Sequence, residues 1–373
     1  MNNTTNASRA ICANAATANN GPEQTPMLTA WAGLDVAKAT FDAGIWLPEF
    51  SQTELPMREI PVKTFPRTPQ GAAEFLQWAD DFLERRPPKP GALRAVMEAT
   101  GKYSIELAMW FAELRADLAP AIINPRTSKD FMKSLALRNT TDKIAAQSLA
   151  RYGADRAPAP YQPPSSLQAQ LRDLCRWRQT LIQARVAEEN RQREGSASPL
   201  VRKMQRARIQ KCKRDIARVE KEIRGLIASA PSLTRDCELL DGIYGIGFTT
   251  AATVLAELGD LRRFKKGRQL TAMAGLSPQR GESGTSVHKK TRLCKQGSSW
   301  VRTALYLPAM TAVRGENELS EFYHRLIRAG KTPKPALIAA MRKILLVMRA
   351  ILISGEPYQA RYHACAKLKE KSA

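Results

Sequence analysis

Histidine and paired cysteine are the scarcest chemistry in this chain. Its three histidines (His288, His324, His363) and six cysteines (Cys12, Cys175, Cys212, Cys237, Cys294, Cys365) are scattered, with no Cys-x-x-Cys step and no zinc-ligand spacing. A zinc module and a disulfide framework are therefore excluded, and the cysteine usage points to a reduced, cytoplasmic protein. Long hydrophobic runs are missing as well. The most apolar stretch, from Ala336 to Ile353, is interrupted by Arg342, Lys343 and Arg349, and reads as a buried helix, with no membrane as partner. Residues 1–28, rich in Asn, Thr and Ala, lack both the basic-then-apolar order of a signal peptide and the hydrophobicity to fold, so a disordered tail is expected there.

Acidic residues are also short, but only in one half of the chain. Residues 1–165 hold 18 Lys/Arg against 17 Asp/Glu, whereas residues 166–373 hold 40 against 18, so nearly all of the net charge of +23 sits in the second half. A surplus of that size on one side suits a polyanion, and nucleic acid is the partner it implies.

The 373 residues are enough for two globular units with connecting helices. Trp31 to Val36 and Thr40 to Trp46 read as strands joined by a tight turn, and Ile60 to Phe65 as a third strand. Ala72 to Leu83 reads as helix, Leu93 to Met97 as strand, Ile105 to Leu114 as helix, and Ala119 to Ile123 as strand. Ser128 to Tyr152 is mostly helix. Three consecutive strands followed by alternating helix and strand is the order of a ribonuclease H-like α/β domain, expected over 29–157, although other α/β folds share it.

Beyond a proline-rich stretch (Pro158, Pro160, Pro163, Pro164), Leu167, Leu171, Leu174 and Leu181 and then Ile209, Cys212, Ile216, Val219, Ile223 and Leu226 recur at three-four spacing on either side of Gly195–Pro199. The pattern predicts a helical hairpin or coiled coil over 165–230, whose seam closes on itself or on another subunit. A mainly helical domain over 232–356 and a basic tail over 357–373 follow. Leu240 to Ala252 resembles a helix-hairpin-helix element in which Gly245 and Gly247 let backbone amides approach a phosphate. Arg262, Arg263, Lys265 and Lys266 follow it closely.

The sharper signal is acidic. Asp35 lies in the first strand, Glu98 directly follows the fourth, and Asp142 stands near a helix start. In a ribonuclease H-like fold the first and fourth strand ends lie side by side and a late helix brings a third carboxylate to them. Gathered hard oxygen ligands of this kind suit magnesium or manganese and phosphodiester chemistry.

Several motifs together resemble the insertion sequence 110 family of transposases, relatives of the Piv/MooV invertases. In the first half these are Gly33–Lys38, Glu98–Gly101, Asn124–Arg126, Thr141-Asp142 and Leu149–Tyr152. In the second they are Gly245–Gly247, Leu255–Asp260, Phe264, Ala274–Pro278 and Ala304–Tyr306. The resemblance runs from Trp31 to about Gly355. It implies a recombinase of mobile DNA with a RuvC-like DEDD domain, a Mg2+ or Mn2+ cofactor held by Asp35, Glu98 and Asp142, and a nucleophilic serine in the second domain. Ser283, in Glu282-Ser283-Gly284, matches the family's Ser-Gly element, with Ser286, Ser298 and Ser299 as alternatives. Arg280, Lys289, Lys290, Arg292 and Arg302 are nearby cations for nucleic acid. The resemblance further implies a structured guide RNA, DNA as substrate, a homodimer or homotetramer, and a bacterial, nucleoid-associated location.

One position departs from that pattern. The family's fourth acid, three residues after the third, falls on Ala145, so either another group such as Asp130 or a water fills the gap, or three acids serve. Two other functions fit the same residues. They are a junction-resolving nuclease that uses water in place of serine, and a catalytically impaired nucleic-acid-binding relative.

Overall fold

A computed structural model describes residues 29–47, 49, 59–85, 91–137, 141–283 and 287–359, and only the backbone of residues 280–283 and 287–291. The expected tail over 1–28 lies outside the described residues, as does most of the expected basic tail. The chain divides into two compact units at Pro163/Pro164.

In the first unit, β1 (Thr29–Val36), β2 (Thr40–Trp46), β3 (Val62–Pro66), β4 (Ala92–Glu98) and β5 (Ala121–Ile123) form one sheet in the order β3-β2-β1-β4-β5. The first three strands are antiparallel neighbours, while β4 runs parallel to β1 and β5 parallel to β4. This is the ribonuclease H-like, RuvC-like arrangement. Helices α1 (Pro69–Glu84) and α2 (Lys102–Leu114) bury Phe75, Leu76, Leu107 and Phe111, which join Phe41 and Phe65 in an aromatic core. The stretch Ser128–Tyr152, expected to be mostly helix with a start near Asp142, is formed by two helices, α3 (Pro125–Ser134) and α4 (Asp142–Arg156). Ala136, at φ 52°, adopts a left-handed conformation that a helix cannot continue, and Thr141 caps a fresh start by accepting a hydrogen bond from the Ile144 amide.

The second unit opens with a helical hairpin, α5 (Ser166–Glu194) and α6 (Pro199–Ala228). Leu181, Ile209 and Ile216 are buried within this one chain, so the seam closes on itself at these positions. At its base Leu171, Cys175, Ile223 and Ile227 enter the same core as the helices that follow. These are α7 (Pro231–Asp241), α8 (Phe248–Leu258), α9 (Gly267–Met273), α10 (Ser299–Ala312), α11 (Glu318–Arg328) and α12 (Pro333–Ser354). The hairpin and the helices that follow it therefore share one hydrophobic core. Between α9 and α10 the chain forms an antiparallel pair, β6 (Pro278–Ser283) and β7 (Val287–Leu293), inside a region that reads as mainly helical. Cys175, Cys212, Cys237 and Cys294 are free thiols, and no described helix is long and apolar enough to cross a membrane.

Candidate functional site

The sheet of the first unit has an acidic end, and two glycines explain how a helix reaches it. Gly33 and Gly44 are directly paired across β1 and β2, and α4 lies against both. A Cβ on Gly33 would stand 2.1 Å from the Ala146 carbonyl oxygen and the Ala150 amide nitrogen, so only glycine permits this approach. Further along, a Cβ on Gly153 would meet the Trp31 ring. Helix α4 therefore runs antiparallel to β1, with residue 153 over residue 31 and residues 146–150 over residue 33. Its first turn, beginning at Asp142, comes to the level of Asp35.

Period-two alternation puts Asp35 on the same sheet face as Gly33. Leu34 pairs with Met97 across the parallel strands, so Asp35 and Glu98 follow at matching positions on adjacent strand ends. Three elements thus bring Asp35, Glu98 and Asp142 to one edge. Burial first, then the negative charges of Asp142, Glu98 and Asp42 in that order, push the Asp35 carboxyl up from 3.8 to about 6, against a hydrogen bond from the Val36 amide. A carboxylate so opposed by like charges is one that a cation would return to its ionised form.

The candidate donors are all carboxylates, the kind of oxygen ligand that a hard divalent ion takes. Thr100 Oγ1, two residues beyond Glu98, is shielded from solvent without a hydrogen-bond partner. Among the described residues no group of three or more acidic, histidine or cysteine side chains is close enough to hold a metal ion. Asp130, the spare acid suggested by the sequence, lies on α3 beside Arg126 at 3.6 Å and is not among the charges acting on Asp35. Asp42 is. Sequence reasoning passed over it, although a tight turn between the two strands pairs residue 35 with residue 42 by register alone.

The second unit places its cations unequally. Arg262 is already committed: its guanidinium makes paired hydrogen bonds of 2.9 and 2.5 Å to Asp236, a third to Asp260 and one to the Leu352 carbonyl. Those carboxylates raise its already high pKa further. Arg263 binds the Leu258 carbonyl and stacks over Phe264. Lys265, Lys266 and Arg292 are exposed. Arg302 is bound through one nitrogen to the carbonyls of Ala274, Gly297 and Ser298, and burial lowers its pKa. It lines a cavity of about 680 Å³ together with Lys295, Lys334 and Thr250.

The two glycines of the α7–α8 turn have different tasks. Gly245 has φ 82°, and a Cβ there would lie 2.7 Å from the Pro308 carbonyl, so packing against α10 requires it. Gly247 caps α8 without a side-chain hydrogen bond and faces no crowding. Ser283 ends β6, paired with Val287 at the far end of the hairpin. Gly281 pairs with Lys289 there, and Lys290 follows on β7. The side chains of Arg280, Ser283, Lys289 and Lys290 and all of Ser286 lie outside the described residues. Ser298 donates to Glu257 at 3.1 Å and caps α10, which gives it a structural task. Its partner Glu257 is buried and held in a two-point ion pair by Arg176. No spacing in the sequence announces that contact, because its members are 81 residues apart.

Residues 32–194 match a transposase family model of the DEDD, IS110 type, and residues 237–324 match the model described as Transposase IS116/IS110/IS902 family. The pilin gene-inverting protein of Moraxella bovis is 31% identical over 338 residues, covering 90% of this chain and all of the relative. The transposase for insertion sequence element IS1111A of Coxiella burnetii is 28% identical over 127 residues, 33% of this chain and 35% of the relative. Among solved structures, T. thermophilus RuvC in complex with a Holliday junction substrate covers 36% of this chain and 99% of that one, at 12% identity and a TM-score of 0.23.

Proposed function

Because the chain belongs to the IS116/IS110/IS902 family of transposases, we propose that it cuts and rejoins the DNA of a mobile insertion sequence at a divalent-cation site built on Asp35, Glu98 and Asp142. The observation that carries this reading is the delivery of three carboxylates, from two adjacent strand ends and one helix start, to a single edge of the sheet. Their oxygens would hold magnesium or manganese, which when bound supplies charge neutralisation at the scissile phosphate. Ser283 is the nucleophile in this reading. Its Oγ bonds phosphorus, its hydroxyl proton passes to a base or to water, and the displaced DNA oxygen leaves as a hydroxyl. The phosphoester linkage is conserved in the serine ester, so rejoining needs no outside energy source. Exposed cations such as Lys265, Lys266 and Arg292 hold nucleic acid without reading its sequence. A structured guide RNA supplies the sequence choice, and a homodimer or homotetramer is the working assembly.

The test incubates the protein with the ends of its element, any RNA that co-purifies with it, and magnesium or manganese. A protein–DNA adduct that survives denaturation is expected from the wild type. Ser283→Ala should lose the adduct and keep nucleic-acid binding. Continued cleavage by Ser283→Ala with free hydroxyl ends would replace this reading with that of a water-using nuclease.

A further inference from the structure

Two cavities of the second unit adjoin each other. The one of about 680 Å³ that Arg302 lines is bordered by another of about 530 Å³, and Tyr306 on α10 and Lys334 on α12 line both. No acidic side chain is among the described residues lining either cavity. The first has Arg178, Lys295, Arg302 and Lys334, and the second adds Arg314. Arg178 is committed to Glu220 at 2.7 Å, and Arg302 is tied to carbonyls through one nitrogen. Lys295, Lys334 and Arg314 are exposed and make no ion pair among the described residues. Positive charge left uncompensated in a concave surface draws an anion.

The rest of the lining narrows the kind of anion. Tyr306 and Leu307 are both exposed, and the Tyr306 ring meets no other aromatic ring among the described residues. Apolar Ile338 and Met341 continue the wall of the first cavity, and Met310 and Leu337 that of the second. Pro308 lies inside α10 and has no N–H, so the Ala304 carbonyl loses its helical bond; both residues line the first cavity. Such a lining suits a ligand that combines negative charge, a flat face and an N–H donor. A nucleotide with an unpaired base has all three, whereas a base held in a duplex has its faces covered by its neighbours. Each cavity is in the range, on the order of 300–1,000 Å³, that takes one small organic group.

We propose that the two cavities form a groove for unpaired nucleotides of a single strand, with a base stacked on Tyr306 and the flanking phosphates on Lys295, Lys334 and Arg314. The proposal rests on the reading of the chain as one that cuts and rejoins DNA, in which a cut strand leaves its complement before it is joined elsewhere. It draws on neither the carboxylates of the first unit nor Ser283.

The test is equilibrium binding of the full chain, without divalent metal, to three labelled probes followed by fluorescence anisotropy. These are a strand of oligothymidine, the same strand with abasic sites in place of its bases, and a duplex of the same length. The wild type should bind the oligothymidine about fivefold or more tightly than the abasic strand. Tyr306→Ala should remove that preference and leave the abasic strand and the duplex within about twofold of wild type, while Tyr306→Phe should keep it. Lys295→Ala with Lys334→Ala should weaken binding of both single strands and flatten its salt dependence by about two phosphate contacts. Equal affinity of the wild type for the two single strands would overturn the groove and leave these cations as phosphate contacts alone. A preference that survives Tyr306→Ala, or a loss by that variant that is equal on all three probes, would overturn it as well. Should Tyr306→Ala fail to fold, unchanged single-strand affinity in the double lysine variant has the same force. The reading of the chain as a DNA recombinase stands in each of these cases, whereas a wild type that binds none of the three probes would overturn both.

Discussion

The two units handle charge in opposite ways. The first is nearly neutral over its length, yet it brings acids together at one sheet edge until the Asp35 carboxyl is pushed up to about 6. The second carries almost the whole positive surplus and distributes it, tying some cations to partners and leaving others open. Arg262 and Lys265, three residues apart and both exposed, illustrate this: the guanidinium of one is spent on Asp236, Asp260 and a carbonyl, while the ammonium of the other makes no ion pair among the described residues. A charge count therefore names the kind of partner, but only packing says which charges remain free to meet it. The units also pack differently. Helix α4 lies on glycine backbone, which fixes its height over the sheet closely, whereas α5 and α6 meet through apolar side chains.

The sharpest way to break this comparison is Gly33→Val. Its branched side chain would collide with the α4 backbone, costing about 4 kcal/mol or more and driving Asp142 away from Asp35. Calorimetry should show the first unit's transition lost or far lowered, with the second unit's retained. Survival of both would mean that α4 is not held as closely as argued.

A smaller effect is expected in the second unit. Ile216→Asp buries a charge in the self-closed seam of the hairpin and should cost about 3 kcal/mol in the chain's own stability. Dissociation of an oligomer in light scattering with an unchanged melting temperature would show instead that the seam is an interface between copies.

Smaller again is Arg262→Leu, which removes the Asp236 contact and the Leu352 carbonyl bond. It should lower stability by about 1–2 kcal/mol and leave nucleic-acid affinity within about twofold. Lys265→Ala with Lys266→Ala should do the reverse, weakening binding and flattening its salt dependence by about two phosphate contacts. Filter binding over a salt series separates the two.

The smallest effect concerns Asp35 and has a definite sign. A carboxyl raised from 3.8 to about 6 in the folded protein contributes stability that is present below about pH 4 and is lost as pH rises through about 6. Near pH 7, without metal, its charge opposes folding. Asp35→Asn should therefore stabilise the metal-free protein by on the order of 1 kcal/mol near pH 7, with the gain vanishing toward about pH 4. Melting temperatures across that range check it. A destabilised variant at neutral pH would mean that repulsion is not what holds the carboxyl up.

Much of this was open to reading from residues alone. Alternation set β1, β2 and β4, and three-four spacing set α5 and α6, because each signal is local and repeats. Asp35, Glu98 and Asp142 were legible because strand ends and helix starts are local too, and Thr141 before Asp142 is a cap that sequence displays. The break at Ala136 and the β6–β7 pair were not. A helix-favouring residue in a left-handed conformation and a short polar hairpin both go against local preference, and the surrounding chain decides them.

What the amino-acid sequence supplied by itself was the set of candidates: carboxylates at strand ends and a helix start, a serine, and a basic half. What only the tertiary structure decided was company. Asp42 became a neighbour of Asp35 through strand register, Asp142 through the glycine-permitted approach of α4, and Arg262 was withdrawn by Asp236, 26 residues away. Charge interactions depend on distance in space and not along the chain, so the partners of each ionised group are fixed only once the backbone has closed.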